Sequence, residues 1–170
     1  TKIINDLNDK RKKGIYKEDI RYTDMKLDEN EINTIINITS YFTFDGTGAK
    51  ESKCPANSVL FVNATPSFVD IEEKTFGINP ELIKEKTTAS TKAIIPMDYG
   101  GMSCQISEIK QHAENNNLLL IEDAAESLGS SVNGKKIGSM ADATVFSFCG
   151  NKVLTTGEGG AVVTNSRDTY

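Results

Sequence analysis

Three places in this chain set reactive side chains where apolar runs stop. Asp123 follows the four apolar residues Leu118 to Ile121 and Glu122, and Ala124-Ala125 come after it. Asp98 closes Lys92-Ala93-Ile94-Ile95-Pro96, and the segment from Ser147 to Lys152 closes Thr144-Val145-Phe146-Ser147-Phe148. A carboxylate at such a position is partly desolvated, so it needs a cation or hydrogen-bond donors to stay ionised. An amine is useful for the complementary reason, because a buried or cation-flanked lysine gives up its proton readily and becomes a nucleophile and base. Each residue also has an ordinary reading. Asp123 taken alone reads first as a helix N-cap, and Lys152 as a solvated lysine beside a Gly-rich turn. The run Thr155-Thr156-Gly157-Glu158-Gly159-Gly160 has the composition of a phosphate cradle but matches neither the P-loop nor the dinucleotide fingerprint.

The elements that must position these groups follow from periodicity. Ser67 to Ile71, Lys92 to Pro96, Leu118 to Ile121, Thr144 to Phe148 and Ala161 to Thr164 read as short strands. Asn79-Pro80-Glu81-Leu82 is a helix start, with a cap, a proline at the first helical position and an acid in the first turn. Ile106, Ile109 and Ala113 form the apolar stripe of another helix, and Asn133-Gly134 marks a tight turn. Strands alternating with amphipathic helices predict an α/β fold with a mostly parallel sheet, in which ligands bind beyond the carboxyl ends of the strands. Residues 1–55 are polar and weakly periodic, and are expected to form a loosely packed arm, with residues 56–170 as the main domain. Within the arm, Asp28 caps a predicted helix whose apolar face is Ile32, Ile35 and Ile36, and Asp45-Gly46-Thr47-Gly48 reads as a turn.

Bulk properties exclude several classes. The 170 residues are 38% hydrophobic and 25% charged with a net charge of −5, as expected of an ordinary globular protein. That balance disfavours non-specific nucleic-acid and anionic-membrane binding, and the basic run Lys10-Arg11-Lys12-Lys13 is too short to reverse it. No uninterrupted apolar stretch is longer than Leu118 to Ile121, which is far too short to span a bilayer. Cys54, Cys104 and Cys149 are odd in number and widely spaced, which fits a reducing cytoplasm better than a disulfide framework. With His112 as the only histidine and no C-x-x-C pair, no metal site is expected. The N-terminus is polar, unlike a signal peptide, and the chain opens at Thr1, so it reads as a piece of something longer.

The three motifs become specific only in combination. Asp123-Ala124-Ala125-Glu126-Ser127-Leu128-Gly129, Phe146-Ser147-Phe148-Cys149-Gly150-Asn151-Lys152 and Thr155 to Gly160, in that order and with 29 residues from Asp123 to Lys152, resemble the signature block of the DegT/DnrJ/EryC1/StrS aminotransferase family. Ala64-Thr65-Pro66-Ser67-Phe68-Val69-Asp70-Ile71 and Asp98-Tyr99-Gly100-Gly101 are similar to it as well. The resemblance runs continuously over about residues 56 to 165, and more faintly around Glu31.

That resemblance implies the large domain of a fold-type I pyridoxal-phosphate enzyme, three-layered and here partial. It implies a homodimer acting on a keto sugar nucleotide with glutamate as amino donor. By position, Lys152 would carry the cofactor as a Schiff base and move the proton during transfer. Asp123 would pair with the ring nitrogen, Ala125 would pack on a ring face, and Ser147 would donate to the phosphate. Glu126 falls where the family often has Gln or His near the ring hydroxyl. The segment Phe148 to Lys152 is most similar to members that aminate the 4-keto position of deoxy sugars for surface polysaccharide. Two parts of the family pattern are absent: the Ser-Gly-Thr-type phosphate segment with its stacking aromatic, and the C-terminal domain.

Other readings stay open at this level. A sugar dehydratase of the same family would place His where Lys152 stands, which argues against it. A non-catalytic fragment or dimerisation module would bind the cofactor weakly or not at all. A nucleic-acid-binding module fits the acidic charge least.

Overall fold

The computed structural model describes residues 35–39 and 54–167. The expected N-terminal arm and the Asp45 to Gly48 turn lie outside them, apart from one segment. That segment corrects the sequence reading. Ile35–Thr39 forms a strand, β1, where a helical face through Ile35 and Ile36 was expected. Four of its five residues, Ile35, Ile36, Ile38 and Thr39, are β-branched, and crowding at Cβ favours the extended backbone over the helix. A short apolar run satisfies both periodicities, and strand pairing decides between them.

The remaining order is α1 (Cys54–Phe61), β2 (Thr65–Val69), α2 (Pro80–Lys86), β3 (Thr91–Ile95), α3 (Ile106–Asn115) and β4 (Leu119–Asp123). A short hairpin of β5 (Ser131–Val132) and β6 (Lys135–Lys136) precedes β7 (Ala143–Ser147) and β8 (Gly160–Thr164). The main sheet runs β2-β1-β3-β4-β7-β8. All its pairings are parallel except β7 with β8. The result is an α/β fold with a mostly parallel sheet.

Local chemistry explains the elements that were legible. Asn79 caps α2 by accepting from the Glu81 N–H (3.0 Å), Pro80 follows it, and Lys84 and Lys86 occupy the last turn. Ile106, Ile109 and Ala113 are the buried stripe of α3. Asn133 and Gly134, both at positive φ, close the β5–β6 hairpin.

Alternation along the strands then divides the core in two. Ile94 and Leu120 face α2 and α3, where Ile78, Ile83, Ile106 and Ile109 pack around them. Ala93 and Ile95, with Ile121 against them, face the other way onto Ala56 and Val59 of α1. Among the described residues no further element covers that second face beyond α1, and Leu119 and Val162 are exposed there.

Burial separates two substitutions of similar size. Ile109 is fully buried whereas Leu119 is 57% exposed. Ile109→Ala is expected to reduce unfolding free energy by about 2–5 kcal/mol, from lost transfer energy plus the cavity. Leu119→Ala should change it by less than about 1 kcal/mol. Urea titrations followed by circular dichroism give both values.

Candidate functional site

Parallel strands β3, β4 and β7 end at one edge of the sheet, and the sequence-predicted residues gather there. Asp123 is the last residue of β4 and lies opposite Val145 of β7, two residues before Ser147 at the end of that strand. On its other side Asp123 bridges Met97, its N–H donating to Pro96 O (2.8 Å) and its carbonyl accepting from Asp98 N (2.9 Å). Main-chain bonds on both sides therefore fix the carboxylate in place.

The Asp123 side chain is half-buried and accepts one side-chain bond, from Ala125 N–H (3.1 Å). Burial pushes its carboxyl above the ordinary value. The Ala125 N–H and then the positive charge of Lys152 oppose that shift, while Glu126 adds to it. The helix-cap reading of Asp123 does not hold, because turns rather than a helix follow it from Ala124 to Ser130.

Lys152 comes back to this edge from the turn after β7. Its backbone N–H donates to Cys149 O (3.0 Å), and its ammonium stands 3.6 Å from Glu126 Oε1. With the lysine side chain 18% exposed, the solvated reading of Lys152 gives way to a half-buried ion pair. Glu126 is held at its other oxygen by the Gly100 N–H (2.9 Å). Gly100 sits at φ 59°, a left-handed conformation that suits glycine. Asp123, Glu126 and Lys152 therefore act on one another electrostatically. Ser147 lies beside them, its hydroxyl oxygen accepting from Cys149 N–H (3.4 Å), which leaves its hydrogen to donate elsewhere.

The Gly-rich run does not form a phosphate cradle in this structure. It makes the turn from β7 to β8, and its polar groups are used internally. Thr155 donates to Phe148 O (3.1 Å) and accepts from Gly157 N–H (2.9 Å), while Thr156 donates to Glu158 O (2.6 Å). Its work is to set the path of residues 149–157, which carry Lys152.

Sequence reasoning missed two further polar groups. Glu122 is fully buried; its Oε2 accepts from Thr144 Oγ1 (2.9 Å) and Gly138 N–H (3.2 Å), and burial raises its carboxyl above the ordinary value. Ser127 is buried and donates to Asp98 Oδ2 (3.0 Å), while Cys104 N–H donates to Oδ1 (2.9 Å). Asp98 was noted only as a strand-end residue. A signal for Glu122 was present: two residues from Leu120, it occupies an inward position of an apolar strand.

Among the described residues no group of His, Cys, Asp and Glu could hold a metal ion. No helix among them is long and apolar enough to cross a membrane.

Comparison with known proteins identifies the family. The sequence profile of the DegT/DnrJ/EryC1/StrS aminotransferase family matches residues 29–170. The chain is 46% identical over 113 residues to GDP-perosamine synthase of Caulobacter vibrioides, covering 66% of this chain and 30% of that protein. It is 40% identical over 131 residues to the spore coat polysaccharide biosynthesis protein SpsC of Bacillus subtilis, covering 77% and 32%. Among solved structures, PseC of Helicobacter pylori, an aminotransferase involved in pseudoaminic acid biosynthesis, superposes with a TM-score of 0.70 at 32% identity. That superposition covers 86% of this chain and 36% of PseC. The chain thus spans about a third of the length of the relatives it matches.

The turn that delivers Lys152 depends on β8 lying close to β7. A Cβ on Gly160 would stand 2.6 Å from Phe146 O. Gly160→Ala is expected to cost about 1–3 kcal/mol by overpacking and to speed proteolysis between β7 and β8. Urea unfolding and limited proteolysis measure these two effects.

Proposed function

The chain belongs to the DegT/DnrJ/EryC1/StrS aminotransferase family, and from that premise we propose that it forms the lysine and aspartate half of a pyridoxal-phosphate site for amino transfer to a keto sugar nucleotide. The observation that carries the reading is the meeting of Asp123, Glu126 and Lys152 at the carboxyl edge of β4 and β7.

The residues suit the cofactor. A half-buried carboxylate with one side-chain donor gains from a cationic ring N–H, and Asp123 is such a group. Lys152 offers an amine at the same edge, Ser147 a hydroxyl hydrogen for phosphate, and Ala125 a side chain small enough for a ring to lie against it. When bound, the cofactor supplies an electron sink that protein side chains lack.

The chain's own residues do the rest. Asp123 holds a proton on the ring nitrogen. Lys152 Nζ moves a proton at the substrate carbon that gains or loses the amino group. Glu126, anchored by Gly100, orients the ammonium of Lys152 between these tasks and would sit on the hydroxyl side of a bound ring.

The amino donor in this reading is glutamate, and the acceptor a 4-keto deoxy sugar nucleotide destined for surface polysaccharide. The names of GDP-perosamine synthase and of SpsC, a spore coat polysaccharide biosynthesis protein, support a nucleotide-linked sugar and a polysaccharide destination. The parent enzyme works as a homodimer in the cytoplasm; the free thiols of Cys104 and Cys149 accord with a reducing compartment.

Adding pyridoxal phosphate to the purified chain should give a long-wavelength absorption band, absent in Lys152→Ala and weakened in Asp123→Asn. The same cofactor should raise the melting temperature of the unsubstituted chain, since a ligand of the native state stabilises it. A folded sample showing neither effect would refute the reading.

A further inference from the structure

Two carboxyl groups behind the site are completely withdrawn from solvent, Asp98 after β3 and Glu122 in β4. Electrostatics connect them to one another and to their surroundings: the charge of Asp98 acts on Glu122, that of Asp123 on Asp98, and both buried carboxyls act on the thiol of Cys104. Among the described residues no salt bridge reaches either acid. Two acids so deeply buried, with no salt bridge among the described residues, cannot both ionise without a large desolvation penalty.

Their donors are distributed differently. Asp98 has one donor on each oxygen, Cys104 N–H on Oδ1 and Ser127 Oγ on Oδ2. Glu122 receives both of its donors, Thr144 Oγ1 and Gly138 N–H, on Oε2. Its Oε1 is buried with no partner among the described residues. A bare, buried carboxylate oxygen is the least favourable site for negative charge and the natural site for a proton.

We propose that Glu122 is a positioning residue that works as a neutral acid, protonated on Oε1, while Asp98 carries the negative charge of the pair. The division of labour follows from what each acid holds. The charge-assisted bond from Ser127 O–H ties the loop after β3 to the segment after β4, and the one from Cys104 N–H closes that loop on itself. Those two segments bring Gly100 and Glu126 together. The neutral acid ties β4 to β7 through Thr144 and to the β6–β7 loop through Gly138, and so spaces the strands that end in Asp123 and Ser147. The protonation pattern itself stands without cofactor; only its bearing on catalysis rests on the proposed function.

The whole chain and its Glu122→Gln, Glu122→Ala and Asp98→Asn forms are compared by infrared spectroscopy and by thermal melts from about pH 5 to about pH 9. Glutamine copies a neutral acid: its oxygen takes the Thr144 and Gly138 donors and its NH2 fills the Oε1 position. A carboxyl held above its ordinary value of 4.5 contributes fully to stability below that value and loses the contribution as pH rises through the folded-state value. Glu122→Gln should therefore fold and melt at or above the unsubstituted chain on the alkaline side. It should also abolish the infrared carbonyl signal of a buried protonated carboxyl.

Glu122→Ala should lower the melting temperature by about 5 °C or more. Asp98→Asn should melt lower too, because an amide NH2 faces a donor, yet keep the infrared signal. The proposal is overturned by a Glu122→Gln chain that melts as low as Glu122→Ala or does not fold. Asp98→Asn melting like the unsubstituted chain, or no protonated-carboxyl signal near neutral pH, overturns it equally. If melts and spectra behave as expected but pyridoxal phosphate gives no absorption band, the proposed function fails and this inference survives.

Discussion

Neighbouring residues on a strand point to opposite faces, and at the end of β4 that rule puts two acids back to back. Glu122 continues the inward row of Leu120, while Asp123 continues the row of Ile121 and ends at the open edge. Neither can move without the other. Any twist that brought Asp123 deeper would pull Glu122 off Thr144 and Gly138, and a one-residue slip of β4 against β7 would exchange the two positions. The site is therefore as fixed as the register of these two strands.

That register has several independent supports besides its ladder. Asp142, just before β7, accepts from Leu120 N–H through its side chain (2.8 Å) and donates its own N–H to Leu120 O (3.0 Å). Thr164 of β8 donates to Asp142 O (2.7 Å), which joins a third strand to the same point. Lys110 of α3 reaches over to Met140 O (2.7 Å) and pins the loop that carries Gly138. Hydrogen bonds of this kind add modestly one by one, but each removes a way for β7 to slide.

How much of this was legible in the sequence depended on whether a residue announces its partner. The Asn79-Pro80 helix start, the Asn133-Gly134 hairpin and the stripe of α3 carry their reasons locally, and the structure has them where the pattern put them. Strands β2, β3, β4, β7 and β8 were found with bounds off by a residue or two, as hydrogen-bonded ends depend on neighbours, while β5 and β6 were marked only by the turn between them. β1 was misread because Ile35, Ile36 and Ile38 fit either period, and its two pairing strands lie 26 or more residues further along the chain. α1 went unread because Cys54–Phe61 is weakly amphipathic and offers no acidic residue in its first turn. Of the candidate site, the family resemblance pointed to Asp123, Ala125, Glu126, Ser147 and Lys152, and the structure brings Asp123, Glu126 and Lys152 within electrostatic reach of one another. The Gly100 anchor of Glu126 and the Asp98–Ser127 bond are contacts across 26 and 29 residues, with no local trace.

Asp98 and Asp123 show why position at a strand end is not sufficient to identify a working group. Both follow apolar runs, both are half or wholly withdrawn from water, and burial raises both carboxyls. Hydrogen-bond accounting separates them. Asp98 has a protein donor on each oxygen and no contact with solvent, so its capacity is spent inside the fold. Asp123 takes a single side-chain donor among the described residues and stays partly open, with the ammonium of Lys152 close enough to act on it. A carboxylate with unspent acceptor capacity at an open edge can receive a cationic ligand; one whose oxygens are both engaged can only hold the walls around it. The two aspartates thus share one strand-end pattern but differ in the acceptor capacity left to them, and the donors supplied by Cys104 and Ser127 make that difference.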